Sequence, residues 1–379
     1  MFVLIDKVNF ENKGAELMLY AIEDKLKEHF KKDINVVLTC EIPVNKKKYF
    51  RIAPKSWEFL GSFILSKLGY VKLKDITLVL NAAGFYFSDQ WIWVKDYYDE
   101  DVHHYVLNQK TYFSLLKKYG AKQILLPQAF GPFKKIQALR TIKAVFPYFD
   151  LVFIRDDSSC QYLIEAVGKH ENIQHAPDFT SLYKPPVFEK FKNIAEGAIV
   201  IIANSKMLIN VKKNEANNYF PFMVKLIKWA LATQRNVLLL NHEGKRDENL
   251  IMDLYRTCKV EGDKLHMYPN LDAPTLKYII GLAYIVFSSR YHGVISALSQ
   301  EVPTLCVGWS HKYQSVFNDY KFAEGCLDTC DEGLLLKQLD YVFDAKNNQK
   351  IRAHLKKQAE VQKQLTEQMW QKVFDIFYK

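Results

Sequence analysis

The stretch YIVFSSRYHGVISALSQEVPTLCVGWSHK, residues Tyr284–Lys312, decides the fold class of this chain. It opens with four apolar residues rich in β-formers, continues through the turn-like segment SSRYHG, and then places apolar residues at helical spacing. A second apolar run at Pro303–Val307 ends at Gly308. The pattern predicts a strand, a turn, a helix and a second strand, which together make one βαβ unit of a parallel sheet.

The turn of this unit is a candidate site for an anion. Ligands of open α/β sheets bind beyond the carboxyl ends of the strands, where helix N-termini offer free N–H groups. Arg290 and His292 occupy the turn, and His311 and Lys312 follow the next strand. The other interpretation is that these are ordinary turn residues at a solvated helix start. The convergence of basic residues from two strand ends favours the site.

The same alternation of predicted strands and helices occurs before and after an interruption by Pro177, Pro185 and Pro186. We therefore predict domains at residues 1–185 and 186–345, followed by a basic amphipathic helix at residues 346–379. The strands predicted before the interruption are Phe2–Ile5, Asn35–Thr39, Ile76–Leu80, Gln123–Pro127 and Leu151–Ile154. Those predicted after it are Ala198–Ile202, Asn236–Asn241, Leu265–Tyr268, Tyr284–Ser288 and Pro303–Val307.

Polar side chains follow several of the other predicted strands, where a ligand would bind. These residues are Asn12, Glu16, Asp89, Gln90, Arg155, Asp178, Asn204, Lys206 and His242. For Asn12, Glu16 and Asp89 a helix-capping or dipole-compensating role is an open alternative to ligand binding. His242 with Glu243 lacks the spacing of a zinc motif, so a polar loop is the preferred interpretation.

The amino-acid composition limits the classes of function that this chain can have. The 379 residues carry a formal net charge of +10, which suits nucleic acid, an anionic membrane or a multiply charged small substrate. No nucleic-acid-binding signature accompanies the charge. The six cysteines include no CxxC pair, so neither a zinc site nor a disulfide framework is indicated, and we expect no metal.

The chain lacks a signal-peptide pattern and a long apolar run, so we expect a cytoplasmic protein. The segment from residue 45 to residue 65 alternates basic, aromatic and apolar residues. It is either a surface that docks on anionic lipid, around Lys46, Lys47, Lys48 and Arg51, or a flap over the N-terminal core. For the C-terminal helix, packing on the protein is the first expectation and membrane contact the second.

Several short motifs occur together along the chain. They are Asn12-Lys13-Gly14-Ala15-Glu16, Pro127-Gln128-Ala129-Phe130-Gly131-Pro132, Arg155-Asp156-Asp157-Ser158, Ala176-Pro177-Asp178, Arg290-Tyr291-His292, Val302-Pro303 and Lys312. In this combination the chain resembles the polysaccharide pyruvyl transferases, from about residue 3 to residue 320. The resemblance implies an α/β fold of two Rossmann-like domains facing each other across a cleft, similar to that of the glycosyltransferase-B (GT-B) enzymes.

The resemblance also implies an activity. It is the transfer of a pyruvate ketal from phosphoenolpyruvate to two hydroxyls of a sugar in capsule or exopolysaccharide biosynthesis, on a lipid-linked or oligosaccharide intermediate, with no cofactor. His292 is then the general acid, assisted by Arg290 and Lys312. The donor-binding residues expected are Arg290, Arg155, Lys312, Asn204, Lys206 and His242. The acceptor-binding residues expected are Asn12, Glu16, Asp89, Gln90 and Asp178.

Two other functions remain open from the sequence. A GT-B glycosyltransferase with a nucleotide-sugar donor would use the same kind of cationic phosphate site. A non-catalytic polysaccharide-binding protein would have no use for the cluster of Arg290, His292 and Lys312. Release of phosphate from phosphoenolpyruvate, compared with binding of a nucleotide sugar, separates these alternatives.

Overall fold

A computed structural model of the chain describes residues 1–31, 34–47, 50–52, 71–89, 99–211, 213–259, 264–310, 312–327 and 329–378, with the backbone alone at 45 and 99–102. The strands are β1 Phe2–Asp6, β2 Asn35–Leu38, β3 Arg51–Ile52, β4 Ile76–Asn81, β5 Lys122–Gln128, β6 Leu151–Ile154, β7 Ile173–His175, β8 Ile199–Ile202, β9 Val237–Leu240, β10 Leu265–Tyr268, β11 Ile285–Ser288, β12 Thr304–Val307 and β13 Cys326–Leu327. The helices are α1 Lys13–Phe30, α2 Asp99–Lys118, α3 Ile136–Val145, α4 Asp157–Val167, α5 Glu189–Ala195, α6 Lys213–Ala232, α7 Gly244–Cys258, α8 Ala273–Leu282, α9 Tyr291–Leu298, α10 Lys312–Asp319, α11 Glu332–Phe343 and α12 Ala345–Tyr378.

The chain divides into two compact units. The first comprises residues 1–10, 18–179 and 365–379, and the second comprises residues 11–17 and 180–364. The main change of unit, between Phe179 and Thr180, falls near the prolines that interrupt the sequence pattern. Two segments depart from the predicted division, because residues 11–17 group with the second unit and residues 365–379 with the first.

The first unit is built on a parallel sheet in the order β3-β2-β1-β4-β5-β6-β7. The chain starts at the centre, runs outward to β3, and returns to β4 beside β1 before it runs to the other edge. The sheet is parallel at every described pairing, and the central strands are buried along nearly their whole length, as expected for a sheet covered on both faces.

The second unit repeats this topology in the order β10-β9-β8-β11-β12-β13. Its strands pair in parallel, and those at its centre, β8 and β11, are entirely buried. The strand order reverses between β8 and β11, since β9 and β10 lie to one side and β12 and β13 to the other. Such a topological switch point leaves a crevice at the carboxyl ends of the two central strands.

The C-terminal helix packs on protein, as first expected. In the second unit its residues Ile351 and Leu355 are part of the core, and in the first unit Met369 and Val373 are buried. Further along, the ring of Phe374 stacks on His29 at 3.6 Å between centroids. Most of the apolar face is thereby removed from solvent.

Part of the basic and aromatic segment also packs on protein. Within the first unit, Lys46 donates to the Tyr20 hydroxyl and lies over the Phe10 ring, and Phe50 is buried. Residues 48, 49 and 53–65 lie outside the part of the chain that the structure describes. Within the described part, no helix has the length and apolarity needed to cross a bilayer.

Candidate active site

The switch point of the second unit brings two predicted donor-binding residues together. Asn204 follows the end of β8, and Arg290 follows the end of the neighbouring strand β11. Arg290 is also the residue immediately before α9, so its side chain starts where the backbone N–H groups of that helix are exposed. The anion site predicted from the sequence therefore coincides with the crevice predicted from the topology.

Arg290 is held by two carboxylates. Its Nε donates to Asp247 Oδ2 at 2.7 Å and its Nη2 donates to Asp247 Oδ1 at 2.6 Å, a bidentate pair. Its Nη1 pairs with Glu243. Glu243 is the last residue of the connection between β9 and α7, and Asp247 lies in the first turn of α7. An anionic ligand that engages Arg290 through Nη1 therefore has to take the place of the Glu243 carboxylate.

Burial shifts the ionisation of this pair without neutralising it. The Arg290 side chain is 8% exposed, and its burial lowers the pKa to about 10. Burial raises the pKa of Asp247 to about 6, against two hydrogen bonds from Ser205 that favour the charged form. Both groups are thus ionised at pH 7, and Asp247 fixes the direction in which the guanidinium fork points.

Lys206 supplies a second cation beside Arg290. Its Nζ lies 4.0 Å from Glu243 Oε1 and 5.7 Å from the centre of the Trp309 ring. Burial, together with the nearby Arg290 charge, lowers the pKa of Lys206 to about 8. A lysine with this pKa is charged at pH 7.

Lys312 adds a third basic side chain, which follows the end of β12. It opens α10, and its Nζ lies 4.7 Å from the Trp309 ring centre and 5.6 Å from that of Tyr291. Both lysines therefore face the same indole, Lys206 from the β8 side and Lys312 from the β12 side. The neighbouring His311, also predicted from the sequence, lies outside the described residues.

His292 lies two residues after Arg290, in the first turn of α9. Its ring packs on Gly14, where an added Cβ would stand 2.6 Å from the ring Cγ and 2.9 Å from Cε1. Gly14 belongs to segment 11–17, which is part of the second unit. Two backbone contacts bind this segment to the rest of the unit: the Lys13 N–H donates to the His242 carbonyl at 3.0 Å, and Asn12 forms a bridge with Glu243.

His242 was predicted to be a donor-binding residue, and its charge state follows from its burial. Its side chain is buried, and burial, with the nearby His292 and Arg290, lowers its pKa well below the ordinary histidine value. The imidazole is therefore neutral at pH 7, so it can contribute hydrogen bonds to a donor but no positive charge.

A buried hydrogen-bond network holds the two strand ends in place. Asn204 donates through Nδ2 to the Ser289 carbonyl at 2.7 Å and accepts the Lys206 N–H at 2.9 Å. The Tyr219 hydroxyl, which accepts from the Asn204 N–H, donates to Ser289 Oγ at 2.9 Å. Tyr313 adds a second hydroxyl to the Ser289 carbonyl. Asn204 thus orients the turn that carries Lys206.

Asn12 and Glu16, which the sequence offered as acceptor-binding residues, have bonds within the second unit. Asn12 Oδ1 accepts the N–H groups of Gly14 and Ala15 at 2.9 and 3.3 Å, as a helix cap does. Glu16 is buried, pairs with Lys13 at 2.9 Å, and accepts the N–H of Ala273 at the start of α8. These are the capping and dipole-related roles left open above.

Three other predicted site residues lie in the first unit. Arg155, directly after β6, donates to Asp178 at 2.9 Å and to the Gly84 carbonyl at 2.7 Å, and both charged side chains are buried. Asp89 accepts the N–H groups of Lys134 and Lys135, each at 3.0 Å. Gln90 lies outside the described residues. Arg155 and Asp178 are thus brought together as an ion pair at a strand end.

Asp247 is the residue of this site that the sequence analysis missed. It lies in the polar run GKRDENL, which looks like the exposed first turn of an amphipathic helix. The sequence did hold one indication of its role: Asp247 lies in the first turn of a helix that follows a predicted strand, as His292 does.

Among the described residues, no group of three or more His, Cys, Asp or Glu is arranged to hold a metal ion.

Comparison with protein-family models gives a match to the model described as "Polysaccharide pyruvyl transferase" over residues 12–311. This chain belongs to that family. It is therefore a transferase of polysaccharide biosynthesis, for which the family implies a pyruvate donor and a polysaccharide acceptor. Among curated proteins, no sequence gives a significant match to the chain.

Solved structures place this pyruvyl transferase among enzymes of similar fold. A glycosyltransferase from Rickettsia africae is 11% identical with a TM-score of 0.58, covering 100% of this chain and 98% of its own. Anabaena HepE, solved in complex with UDP-glucose, is 10% identical with a TM-score of 0.61, covering 99% and 98%. A putative UDP-N-acetylglucosamine 2-epimerase from Listeria monocytogenes is 10% identical with a TM-score of 0.62, covering 97% and 94%. The predicted GT-B-like fold is confirmed.

Proposed function

We propose that this enzyme transfers a pyruvate ketal from phosphoenolpyruvate to two hydroxyls of one sugar, on a lipid-linked or oligosaccharide intermediate of a capsule or exopolysaccharide. The observation that carries the proposal is the basic group at the β8/β11 switch point, where Lys206 lies near Arg290 and both Lys206 and Lys312 face the Trp309 ring. His292 follows Arg290 in the first turn of α9. Phosphoenolpyruvate is a small molecule with a carboxylate and a phosphate, and it needs several cations in a small space.

The residues suit the donor's two anionic groups in different ways. The planar fork of Arg290 is held rigid by Asp247, so its remaining Nη1 edge presents a fixed donor to a carboxylate or phosphate oxygen. The two lysines are point charges on flexible stems and follow phosphate oxygens as charge develops on them. The Glu243 carboxylate pairs with both Arg290 and Lys206, and a donor oxyanion bound between these two cations would take its place.

The chemistry assigns the proton to His292. Delivery of a proton from the His292 imidazolium to the methylene carbon of the enol leaves a neutral imidazole and makes C2 electrophilic, and the first sugar hydroxyl adds to C2. The C2–O bond to phosphate then breaks, and the second hydroxyl adds to close the ketal. Of the two hydroxyl protons released, one restores the imidazolium and the other leaves with phosphate. The cations and the helix N-terminus stabilise the departing phosphate.

The test of the proposed function is phosphate release from phosphoenolpyruvate with candidate sugar acceptors. The expected result is acceptor-dependent release, with one pyruvate retained on the sugar for each phosphate. Binding of a nucleotide sugar with no binding of phosphoenolpyruvate would instead identify a glycosyltransferase. Binding of saccharide with no turnover of either donor would identify a non-catalytic protein.

Donor affinity is expected to fall as the pH rises through about 8. The lowered pKa of Lys206 leaves its charge present below that pH and removes it above. At pH 9 about one tenth of the free enzyme retains the proton, so the apparent affinity should be about tenfold weaker than at pH 7. Calorimetric titration with phosphoenolpyruvate across this range measures the effect.

Lys206→Arg is the matched control for this pH dependence, because arginine keeps its charge throughout the range. It should bind the donor with little change between pH 7 and pH 9. An equal loss of affinity in the wild type and in this variant would assign the titration to another group, and no loss in either would remove Lys206 from the donor site.

The location of the enzyme follows from its acceptor. We place it in the cytoplasm, in peripheral contact with the inner leaflet, where lipid-linked saccharides are assembled. The exposed Lys47 and Arg51 support this, although Lys46 is held by Tyr20 and Phe50 is buried. Each basic residue near an anionic surface contributes about 1 kcal/mol.

Co-sedimentation with anionic liposomes tests this placement. Binding should weaken with added salt and on joint neutralisation of Lys46, Lys47, Lys48 and Arg51. Joint neutralisation of four exposed lysines elsewhere, Lys190, Lys192, Lys225 and Lys228, should have a smaller effect. Absence of binding, or equal binding to neutral vesicles, would point to an acceptor free in solution.

A further inference from the structure

We propose that Gly14, in the turn that opens α1, is a positioning residue for the His292 imidazole. This inference rests on the proposed function, in which His292 delivers a proton to the donor. Gly14 and His292 are far apart in sequence, and both belong to the second unit. The proposal concerns how that unit holds its proton donor.

The first observation is the close approach of the ring to the Gly14 backbone. An alanine Cβ at this position would stand 2.6 Å from His292 Cγ and 2.9 Å from Cε1, and it would also overlap Nδ1. Real Cβ atoms do not approach ring atoms so closely, so any side chain at position 14 must displace the imidazole or the turn. Gly14 is helical and its φ is negative, so the requirement for glycine here is contact with the ring and not backbone conformation.

The second observation is that the turn is fixed on both sides of Gly14. Before it, Asn12 pairs with Glu243 in a backbone bridge, and Lys13 donates to the His242 carbonyl. After it, Glu16 is buried and accepts from Ala273. Since the turn is anchored at three points, the imidazole rather than the turn is expected to move when a methyl group is added.

The anchors also link the turn to the carboxylate that pairs with Arg290. Glu243, which the bridge pairs with Asn12, is the residue whose carboxylate holds Arg290. The next residue, Gly244, has φ +57, and an added Cβ there would stand 3.1 Å from Glu11 Cδ. The β9–α7 connection and the α1 turn are therefore joined by backbone hydrogen bonds and by packing of the Glu11 side chain on Gly244.

The test compares Gly14→Ala with Gly333→Ala in the full chain. Gly333 is likewise the second residue of its helix, and an added Cβ there meets its nearest atom, Asp331 Oδ1, at 3.4 Å. Gly14→Ala should lower turnover about 10²-fold, the effect of a 1 Å misplacement of a catalytic group, with phosphoenolpyruvate affinity within threefold of wild type. Gly333→Ala should change neither. Turnover of Gly14→Ala within threefold of wild type would overturn the proposal.

A double variant shows whether Gly14 acts through His292. In the His292→Gln background, Gly14→Ala should cause no further loss of turnover, because the group it displaces is already absent. A further loss of tenfold or more would assign Gly14 another role and contradict the proposal.

If Gly14→Ala does not fold, Asn12→Ala provides a second test. It removes the side chain that accepts the N–H groups of Gly14 and Ala15 without adding an atom, and it should lower turnover. Asn12→Asp keeps a capping side chain and should restore turnover. Normal turnover in Asn12→Ala would then overturn the proposal.

The position of the ring can also be measured without any substrate. The His292 ring signals in NMR spectra, assigned by their loss in His292→Gln, should shift in Gly14→Ala and remain unchanged in Gly333→Ala. This result is independent of the proposed reaction. A shift in Gly14→Ala, together with no turnover of phosphoenolpyruvate by the wild-type enzyme, would refute the function and keep the contact. Unchanged signals in Gly14→Ala would refute the positioning role itself.

Discussion

Arg290→Ala is expected to abolish detectable binding of phosphoenolpyruvate. The substitution removes the rigid, charge-assisted contact of the donor site, and charged hydrogen bonds are the strong ones. It also leaves Asp247 buried with its main counter-charge gone, which should lower the free energy of unfolding by about 3–5 kcal/mol. Calorimetry with phosphoenolpyruvate and a thermal unfolding scan measure the two effects separately.

A second variant keeps loss of binding distinct from loss of folding. Arg290→Ala with Asp247→Asn removes both charges, so it should recover much of the stability and none of the binding. Lys312→Ala should weaken binding in the same direction by a smaller factor, since Lys312 lies at the edge of the basic group. Unchanged affinity in the Arg290 variants would move the donor site elsewhere.

Arg155→Ala is the corresponding test of the donor-binding role predicted for Arg155 in the first unit. Arg155 is buried and paired with Asp178 much as Arg290 is paired with Asp247, so its removal should cost similar stability. Its effect on donor affinity decides whether the donor-binding role predicted for Arg155 is right. A stability loss with unchanged affinity would leave Arg155 as a structural residue.

His292→Gln is expected to retain phosphoenolpyruvate binding and to lose turnover by about 10²–10⁴-fold, the usual contribution of general acid catalysis. Glutamine approximates the shape of the imidazole but cannot deliver a proton. Phosphate release with a working acceptor gives the rate, and calorimetry gives the affinity. His170→Gln, at an exposed position of the first unit, is the control and should leave both unchanged. Normal turnover in His292→Gln would refute the role assigned to it.

The fold could be predicted from the sequence where strands are apolar runs of four or more residues. Leu151–Ile154 was predicted to the residue, because a strand buried on both faces must be apolar throughout. Leu265–Tyr268 was also predicted to the residue, although this strand is only partly buried and contains His266. The edge strands Arg51–Ile52 and Cys326–Leu327 were not predicted. Two residues carry no periodicity, and an edge strand is defined by its neighbour in the sheet rather than by its own composition.

The basic residues of the candidate site could be predicted from the sequence, but the residues that hold them in position could not. Arg290 and Lys206 each follow a strand, a position that topology alone makes significant. Asp247 reaches Arg290 across 43 positions of sequence, and Gly14 reaches His292 across a longer interval, so neither contact has a local signature. His242 was expected among the donor-binding residues, and its burial, which sequence does not show, keeps it neutral at pH 7.

The most direct test of the central claim is the crystal structure of the protein soaked with phosphoenolpyruvate. The account predicts donor density at the carboxyl ends of β8 and β11, with an oxyanion on Arg290 Nη1 in place of the Glu243 carboxylate, phosphate beside Lys206 and Lys312, and the methylene carbon facing His292. Density for the donor at any other place, or occupation of this site by a nucleotide sugar and not by phosphoenolpyruvate, would contradict it.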